Sequence, residues 1–185
     1  MSTPKYRPLT FGVTRVILRE GEPGVRYLRA EQDLQAHPQR MTDRLQHWAQ
    51  TVPERTFIAR RVPQANGQFG NWREISYGQA WSTARSIARG LIDRGLSAER
   101  PVVILSENDL EHALLSLGCM VAGVPFVPVS PPYSLISQDY AKLRHVLDTV
   151  TPGLVFAADG ARYGKAIQAC IAADLEVVLT QGELS

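Results

Sequence analysis

The 185-residue chain contains one group of residues of the types found in a catalytic triad: two serines followed by a histidine and an aspartate. His145 and Asp148 lie three positions apart, which places two side chains on one face of a helix, and Ser134 and Ser137 precede them. A hydrolase would need its serine on a strained G-x-S-x-G elbow with the base turned towards it, and the sequence has no such motif. The sequence therefore disfavours a catalytic triad.

A second candidate is the run from Asp159 to Ala166, which superficially suggests a phosphate-binding loop. A Walker loop has four residues between its glycines, so that successive amides surround the phosphates, and a Ser or Thr after its lysine for magnesium. Here three residues separate Gly160 from Gly164, and Ala166 follows Lys165. The sequence favours an ordinary strand-to-helix turn.

The possible metal ligands are scattered along the chain. His37, His47 and His112 are isolated, and Cys119 and Cys170 lack a CxxC partner, so no metal site is predicted. Both cysteines fall within apolar helical patterns, which is typical of buried thiols in a reducing compartment. We therefore expect a cytoplasmic protein.

The rest of the chain is organised around residues 101–132. Pro101–Ser106 and Val124–Val129 are short, uncharged and rich in β-branched residues, and a helical pattern from Asn108 to Ala122 separates them. The pattern predicts two buried parallel strands joined by a crossover helix.

The carboxyl ends of two such strands meet at one edge of the sheet, where open α/β sheets bind their ligands. We expect this edge to form a substrate-binding or interface rim, and we assign no catalytic residue and no metal ligand to it. The candidate rim residues are Ser106, Asn108, Ser130, Pro131, Tyr133 and Ser134.

The other patterns complete an α/β fold. Residues 1–38, rich in proline and glycine, predict an N-terminal arm with one strand-like run, Val13–Leu18, and residues 39–185 predict an α/β subdomain. The further predicted elements are helices Met41–Gln50, Gly78–Arg94 and Arg162–Ala173, a helix that Ser137 caps and that runs to about Val150, a β-hairpin of Thr56–Arg61 and Asn71–Tyr77, and strands Leu154–Ala158 and Glu176–Thr180. Ser76 and Gln79 have the spacing of a capping box. The alternation of strands and helices from Pro101 onward predicts a doubly wound, mostly parallel sheet flanked by helices.

Composition and charge are those of an ordinary globular domain, with 44% apolar and 21% charged residues and a formal net charge of +2. Residues 1–100 carry 16 Lys and Arg against 9 Asp and Glu, and residues 101–185 carry 4 against 9. The cations are mostly arginines scattered along amphipathic helices, so we expect no nucleic-acid partner. Glycines and prolines interrupt the uncharged stretch from Ala113 to Ser137, which favours buried core over a membrane span.

Two segments resemble core motifs of the adenylate-forming superfamily, which includes acyl-CoA synthetases, luciferases and adenylation domains of peptide synthetases. Ile75–Ala80 (ISYGQA) resembles the first core motif, and Val121–Ser130 (VAGVPFVPVS) resembles the second. The resemblance covers about residue 40 to the end. Within the superfamily, segments such as TDRLQHWAQ and SPPYSLISQDYAKLRHVL are most similar to bacterial feruloyl-CoA synthetase or a related aryl- or fatty-acid CoA ligase.

The resemblance implies a reaction that uses ATP, CoA and Mg²⁺ in the intact enzyme, with a hydroxycinnamic or fatty carboxylic acid as the substrate. The phosphate loop, the ribose-binding aspartate, the hinge and the C-terminal lysine of such enzymes lie downstream of the position matching Ser185. The resemblance therefore implies that this chain is an N-terminal subdomain, inactive and free of cofactor by itself. A truncated sheet would expose its edge near Glu176–Thr180, and the fragment could then self-associate.

An alternative interpretation stays open from the sequence. A free-standing α/β module could use the same sheet edge to bind a nucleotide or a partner protein. A reading frame that continues past Ser185 into a loop rich in Gly, Thr and Ser would favour the ligase, and a natural stop codon would favour the module.

Overall fold

The computed structural model describes residue 12 and residues 15–63 and 67–184. The chain divides into two compact units, residues 1–38 and residues 39–185.

The first unit contains an antiparallel hairpin of β1 (Val16–Glu20) and β2 (Arg26–Ala30), with Leu18 opposite Leu28 at its centre. Gly24, at φ +86°, adopts the left-handed conformation that the tight turn requires. The sequence predicted a single strand, Val13–Leu18, and so missed β2. Leu18, at the end of the predicted strand, lies in β1, whereas Val13, at its start, lies outside the described residues.

The second unit is built on a parallel sheet, which confirms the predicted fold class. Its strands are β5 (Val102–Leu105), β6 (Phe126–Pro128), β7 (Leu154–Asp159) and β8 (Val177–Gln181), in the order β6-β5-β7-β8. Every neighbouring pair is parallel. Strand β8 is an edge strand of this sheet. Self-association through this edge stays a prediction, which sedimentation of the purified chain would test.

Helices cover both faces of the sheet, since successive residues of a strand point to opposite faces. Val103 and Leu105 contribute to one core cluster, with α5 (Ala141–Val150) and α6 (Gly160–Cys170). Val102 and Ile104 contribute to the other, with α2 (Tyr77–Asp93) and α3 (Leu110–Ala122). Residues 102–105 are all at most 1% exposed, so β5 is the centre of the core.

Helices α2 and α3 approach closely at Gly118. A Cβ atom at that position would lie 2.3 Å from Cγ2 of Ile87, well inside van der Waals contact. Glycine is therefore required by packing between the helices.

A second hairpin precedes α2 in the chain. Helix α1 (Met41–Thr51) leads into β3 (Thr56–Pro63), which pairs with β4 (Phe69–Ser76) in antiparallel fashion. The capping box is confirmed: Gln79 N–H donates to Ser76 Oγ, and Ser76 N–H donates to Gln79 Oε1.

The segment after β6 differs from its prediction. Residues 132–135 form a short helix, α4 (Pro132–Leu135), and α5 begins only at Ala141. Ser137 therefore does not cap α5. Its hydroxyl instead accepts from Tyr140 N–H and donates to Asp139, which shapes the turn before the helix.

Among the described residues, no helix combines the length and apolar character that crossing a membrane requires.

Candidate functional site

A charged cleft of about 390 Å³ lies at the carboxyl edge of the parallel sheet. One wall comes from the β3–β4 hairpin, and the remainder comes from the segments that follow β5 and β7 and from the end of β8. Its lining residues are Arg60, Arg61, Val62, Arg73, Glu107, Asp109, Leu110, Glu111, Ala158, Asp159, Arg162, Tyr163, Thr180 and Gln181.

Asp109 fixes the start of α3 at this edge. One of its carboxylate oxygens accepts from His112 N–H at 2.6 Å, and the other accepts from the Ser106 hydroxyl at 2.6 Å. A carboxylate at this position satisfies amides that a helix start leaves free. The local sequence, a strand followed by Ser-Glu-Asn-Asp and an apolar helix, dictates this arrangement.

Asp159 plays the same part for α6. Its Oδ1 accepts from the backbone N–H groups of Ala161 and Arg162, and its Oδ2 accepts from the Gln181 side chain at 3.0 Å. Burial alone would raise the pKa of Asp159, but these hydrogen bonds and the Arg162 charge together lower it. Because the carboxylate already occupies the first free amides, this turn does not fit a phosphate loop, in agreement with its glycine spacing.

Glu107 and Arg162 form a two-point ion pair across the cleft floor, with N···O distances of 3.0 and 3.3 Å. The hydrogen bond and the charge of Arg162 lower the pKa of Glu107 below its ordinary value. The same pairing raises the pKa of Arg162. Both groups therefore stay ionised at neutral pH.

The hairpin contributes three arginines to the opposite wall. Arg60 and Arg73 are direct cross-strand partners, and Arg73 forms an ion pair with Glu111 in the first turn of α3. Like charges directly opposite each other destabilise a hairpin, so the carboxylates of the facing wall compensate them. The Arg61 guanidinium lies 5.1 Å from the centre of the Trp72 ring, a cation–π contact.

Tyr163 completes the floor of the cleft. The residue is 1% exposed, and its hydroxyl has no hydrogen-bond partner among the described residues. Burial raises the pKa of this phenol, and the charges of Arg162, Glu107, Asp109 and Asp159 also act on it. The hydroxyl therefore stays protonated and can donate a hydrogen bond.

None of the six predicted rim residues lines the cleft: Ser106 and Asn108 follow β5, and the other four follow β6. Ser106 is buried and bonded to Asp109, whereas Asn108 and Ser130 are exposed. The hydroxyl of Ser134, a buried residue, has no partner within the described part of the chain.

The remaining two rim residues are Pro131 and Tyr133. Pro131 precedes α4, and the ring of Tyr133 packs against the core with Lys142 Nζ 5.2 Å above it. In the described structure the Ser134 hydroxyl has no partner, and the Ser137 hydroxyl donates to Asp139. Neither serine is therefore hydrogen-bonded to His145, as a catalytic triad would require.

Sequence reasoning missed the cleft because its residues come from distant segments. The one local signal was an aspartate between a strand and a helix, present at Asp109 and again at Asp159. Within residues 15–63 and 67–184, no group of three or more His, Cys, Asp and Glu side chains is arranged to hold a metal ion.

Comparisons with known proteins give the family. The chain belongs to the AMP-binding enzyme family, whose profile matches residues 45–184. Surfactin synthase subunit 2 of Bacillus subtilis is 38% identical over 63 residues, which are 34% of this chain and 2% of that protein. The chain thus spans only a small part of the curated relatives it matches.

Solved structures give the same fold. A fatty acid AMP ligase from Legionella pneumophila superimposes with a TM-score of 0.58 at 21% identity, covering 70% of this chain and 21% of that one. A putative long-chain-fatty-acid CoA ligase from Rhodopseudomonas palustris gives 0.59 at 20% identity, covering 78% and 33%. At this identity the likeness identifies the fold alone.

Proposed function

We propose that the chain is the N-terminal part of an ATP-dependent acid–CoA ligase, similar to feruloyl-CoA synthetase. The observation that carries this proposal is the family match over residues 45–184. The ordered pair of motif-like segments, Ile75–Ala80 and Val121–Ser130, supports it.

The proposed reaction has two steps. A substrate carboxylate oxygen attacks the α-phosphorus of ATP, the bond to the β-phosphate oxygen breaks, and an acyl-adenylate and pyrophosphate form. The CoA sulfur then attacks the acyl carbon, AMP leaves, and the thiol proton passes to solvent or a base. Mg²⁺ and a lysine from another part of the enzyme would stabilise the charge on the phosphates.

This chain would supply scaffold and wall instead of reacting groups. Asp159 occupies the amides of its own turn, so the phosphates of ATP do not fit at that turn. The rim from Ser130 to Ser134 would form one side of the approach for the acid and CoA.

Acid-dependent AMP release by the intact parent enzyme tests the substrate class. Hydroxycinnamic, benzoic and fatty acids would be compared at equal concentration, with CoA present and absent. We expect hydroxycinnamic acids to give the highest kcat/KM and AMP release to depend on CoA. A preference for fatty acids, or adenylate that accumulates unchanged in the presence of CoA, would contradict the assignment.

The division of roles is tested on the 185-residue chain itself. We expect no acid-dependent exchange of pyrophosphate into ATP by this chain, because the groups that stabilise the transferring phosphate would lie elsewhere. Measurable exchange would show that the reactive groups are within it.

A further inference from the structure

The cleft at the carboxyl edge of the sheet contains four arginines and four carboxylates, so its formal net charge is zero, and the ability of each group to bind a ligand depends on whether it already has a partner. The arginines are Arg60, Arg61, Arg73 and Arg162, and the carboxylates are Glu107, Asp109, Glu111 and Asp159.

The two aspartates are committed to helix starts. Asp109 accepts hydrogen bonds from one α3 amide and from Ser106, and Asp159 accepts from two α6 amides and from Gln181. Each carboxylate also offsets the partial positive charge at the N-terminus of its helix. Their negative charge is thus largely balanced locally.

The two glutamates are committed to arginines. Glu107 accepts both of its hydrogen bonds from Arg162, and Glu111 is bonded to Arg73. These pairs are half exposed, and each is electrically neutral as a unit.

Arg60 and Arg61 remain. Within the described structure neither donates a hydrogen bond to a carboxylate: Arg60 acts on Glu107 only through its charge, and Arg61 stacks on Trp72. A stacked guanidinium keeps its N–H groups available at its edge. Arg60 lies opposite Arg73 and Arg61 opposite Trp72, so their side chains point to opposite faces of the hairpin, and Arg60 is on the face that carries the cleft residue Arg73.

The floor of the cleft offers an unused donor. The Tyr163 hydroxyl is buried and has no partner among the described residues, a condition that is unfavourable for a buried polar group. Such groups are usually satisfied in the working state of a protein. An oxygen atom of a ligand that enters the cleft would satisfy it.

We propose that the cleft binds a phosphate group, held by the guanidinium group of Arg60 and hydrogen-bonded by the Tyr163 hydroxyl. Phosphate suits this set because arginine recognises it through paired N–H···O bonds and its several oxygens can engage both walls at once. The position is separate from the rim around Ser130 and from the α6 turn, whose amides are occupied.

Calorimetric titration of the purified chain with inorganic phosphate and pyrophosphate tests the site, with acetate as a second anion. We expect binding of both phosphates that weakens at high salt, and weaker binding of acetate. An absence of phosphate binding, or acetate bound as tightly as phosphate, would overturn the proposal.

Two variants locate the site. Arg60→Gln should weaken phosphate binding about tenfold or more, since it removes a charge-assisted hydrogen bond. Arg85→Gln on the exposed face of α2 removes one cation away from the cleft and should leave the affinity unchanged. Equal losses in the two proteins would indicate only general attraction to a basic chain.

Tyr163→Phe separates recognition from stability. Removing an unpaired hydroxyl should leave the melting temperature unchanged or slightly higher, while phosphate affinity falls at least about threefold. Tyr27→Phe, at an exposed position that does not line the cleft, should change neither. A destabilised Tyr163→Phe protein with unchanged affinity would show that the hydroxyl is structural.

These measurements read binding and not activity, so they do not depend on the proposed ligase function. Failure to detect phosphate would leave acid-dependent AMP release by the parent enzyme unaffected, and the reverse also holds.

Discussion

The interior of the parallel sheet and the cleft at its carboxyl edge use the same strands but depend on different interactions. In the interior, residues 102–105 are uncharged, at most 1% exposed and packed by helices on both faces. At the edge, most charged groups have a particular partner, such as Arg162 for Glu107 and Arg73 for Glu111.

The difference teaches where stability and specificity reside in this fold. A fully buried aliphatic side chain contributes about 1.5–3 kcal/mol by its removal from water, whatever its exact neighbours. An exposed ion pair contributes roughly 0–1 kcal/mol but fixes the relative positions of the elements that carry it. In the interior, substitutions that keep side-chain volume should therefore be tolerated better than substitutions that change it. In the cleft, substitutions that keep the ion pairs should be tolerated better than substitutions that remove a charged partner.

A change of volume in the interior should have the largest effect. Leu143 is fully buried on α5, so Leu143→Ala should lower the free energy of unfolding by about 2–5 kcal/mol. Leu34→Ala makes the same change at a position that is 85% exposed and should shift stability by less than about 0.5 kcal/mol. Urea denaturation would measure both, and similar losses would contradict the assigned core.

An increase in side-chain volume tests the contact between helices α2 and α3. Gly118→Ala places a Cβ 2.3 Å from Ile87 Cγ2 and should cost about 1–3 kcal/mol by overpacking. The combination with Ile87→Ala should recover part of that loss, so the two effects would not add.

Gly164→Ala is the matched control for this contact. The position lies within α6 and has no atom within 4 Å of the added Cβ, so the change should stabilise the chain by up to about 1 kcal/mol. Destabilisation at both glycines would mean that the helix contact is not the cause.

The interior was predictable because its signal is local. Continuous β-branched runs bounded by Pro101 and Gly123 gave β5 and β6 to within about two residues, and the capping residues Ser76 and Gln79 gave the start of α2. Strand β2 was missed, since two arginines in five residues, Arg26–Ala30, interrupt any apolar alternation.

The cleft could not be predicted, because nothing in the local sequence pairs its residues. Thirty-eight positions separate Arg73 from Glu111, and 55 separate Glu107 from Arg162. Only the fold brings them together. The rule for parallel strands predicted a rim at the carboxyl edge, and that rim stays a prediction; the rule does not say which neighbouring strand borders a cavity.

A change of partner in the cleft should have a smaller and pH-dependent effect. Glu107→Gln removes the carboxylate paired with Arg162 and should cost less than about 1 kcal/mol at neutral pH. The folded state lowers the pKa of Glu107, so its contribution is present above the pKa of the unfolded chain and is lost as pH falls through the folded value. The difference between the two proteins should therefore vanish in acid.

Stability curves at neutral and acidic pH would measure this difference. Glu54→Gln, an exposed carboxylate away from the cleft, is the control and should show no such dependence. A difference between wild type and Glu107→Gln that persists at low pH would rule out the ion pair as its source.

The smallest effect concerns the chemical reactivity of the two cysteines. A buried thiol and a partly exposed thiol should react at different rates, with no change in stability. Burial raises the pKa of the Cys119 thiol to about 12, and Cys119 is fully buried, whereas Cys170 is partly exposed. The thiolate is the reactive form, so iodoacetamide at mildly alkaline pH should modify Cys170 first. Mass spectrometry over time would detect one modified thiol in the native chain and two at similar rates in denaturant. Equal rates for the two thiols in the native chain would contradict the assigned packing of α3 against α2 and β5, because they would mean that Cys119 is as accessible as a surface thiol.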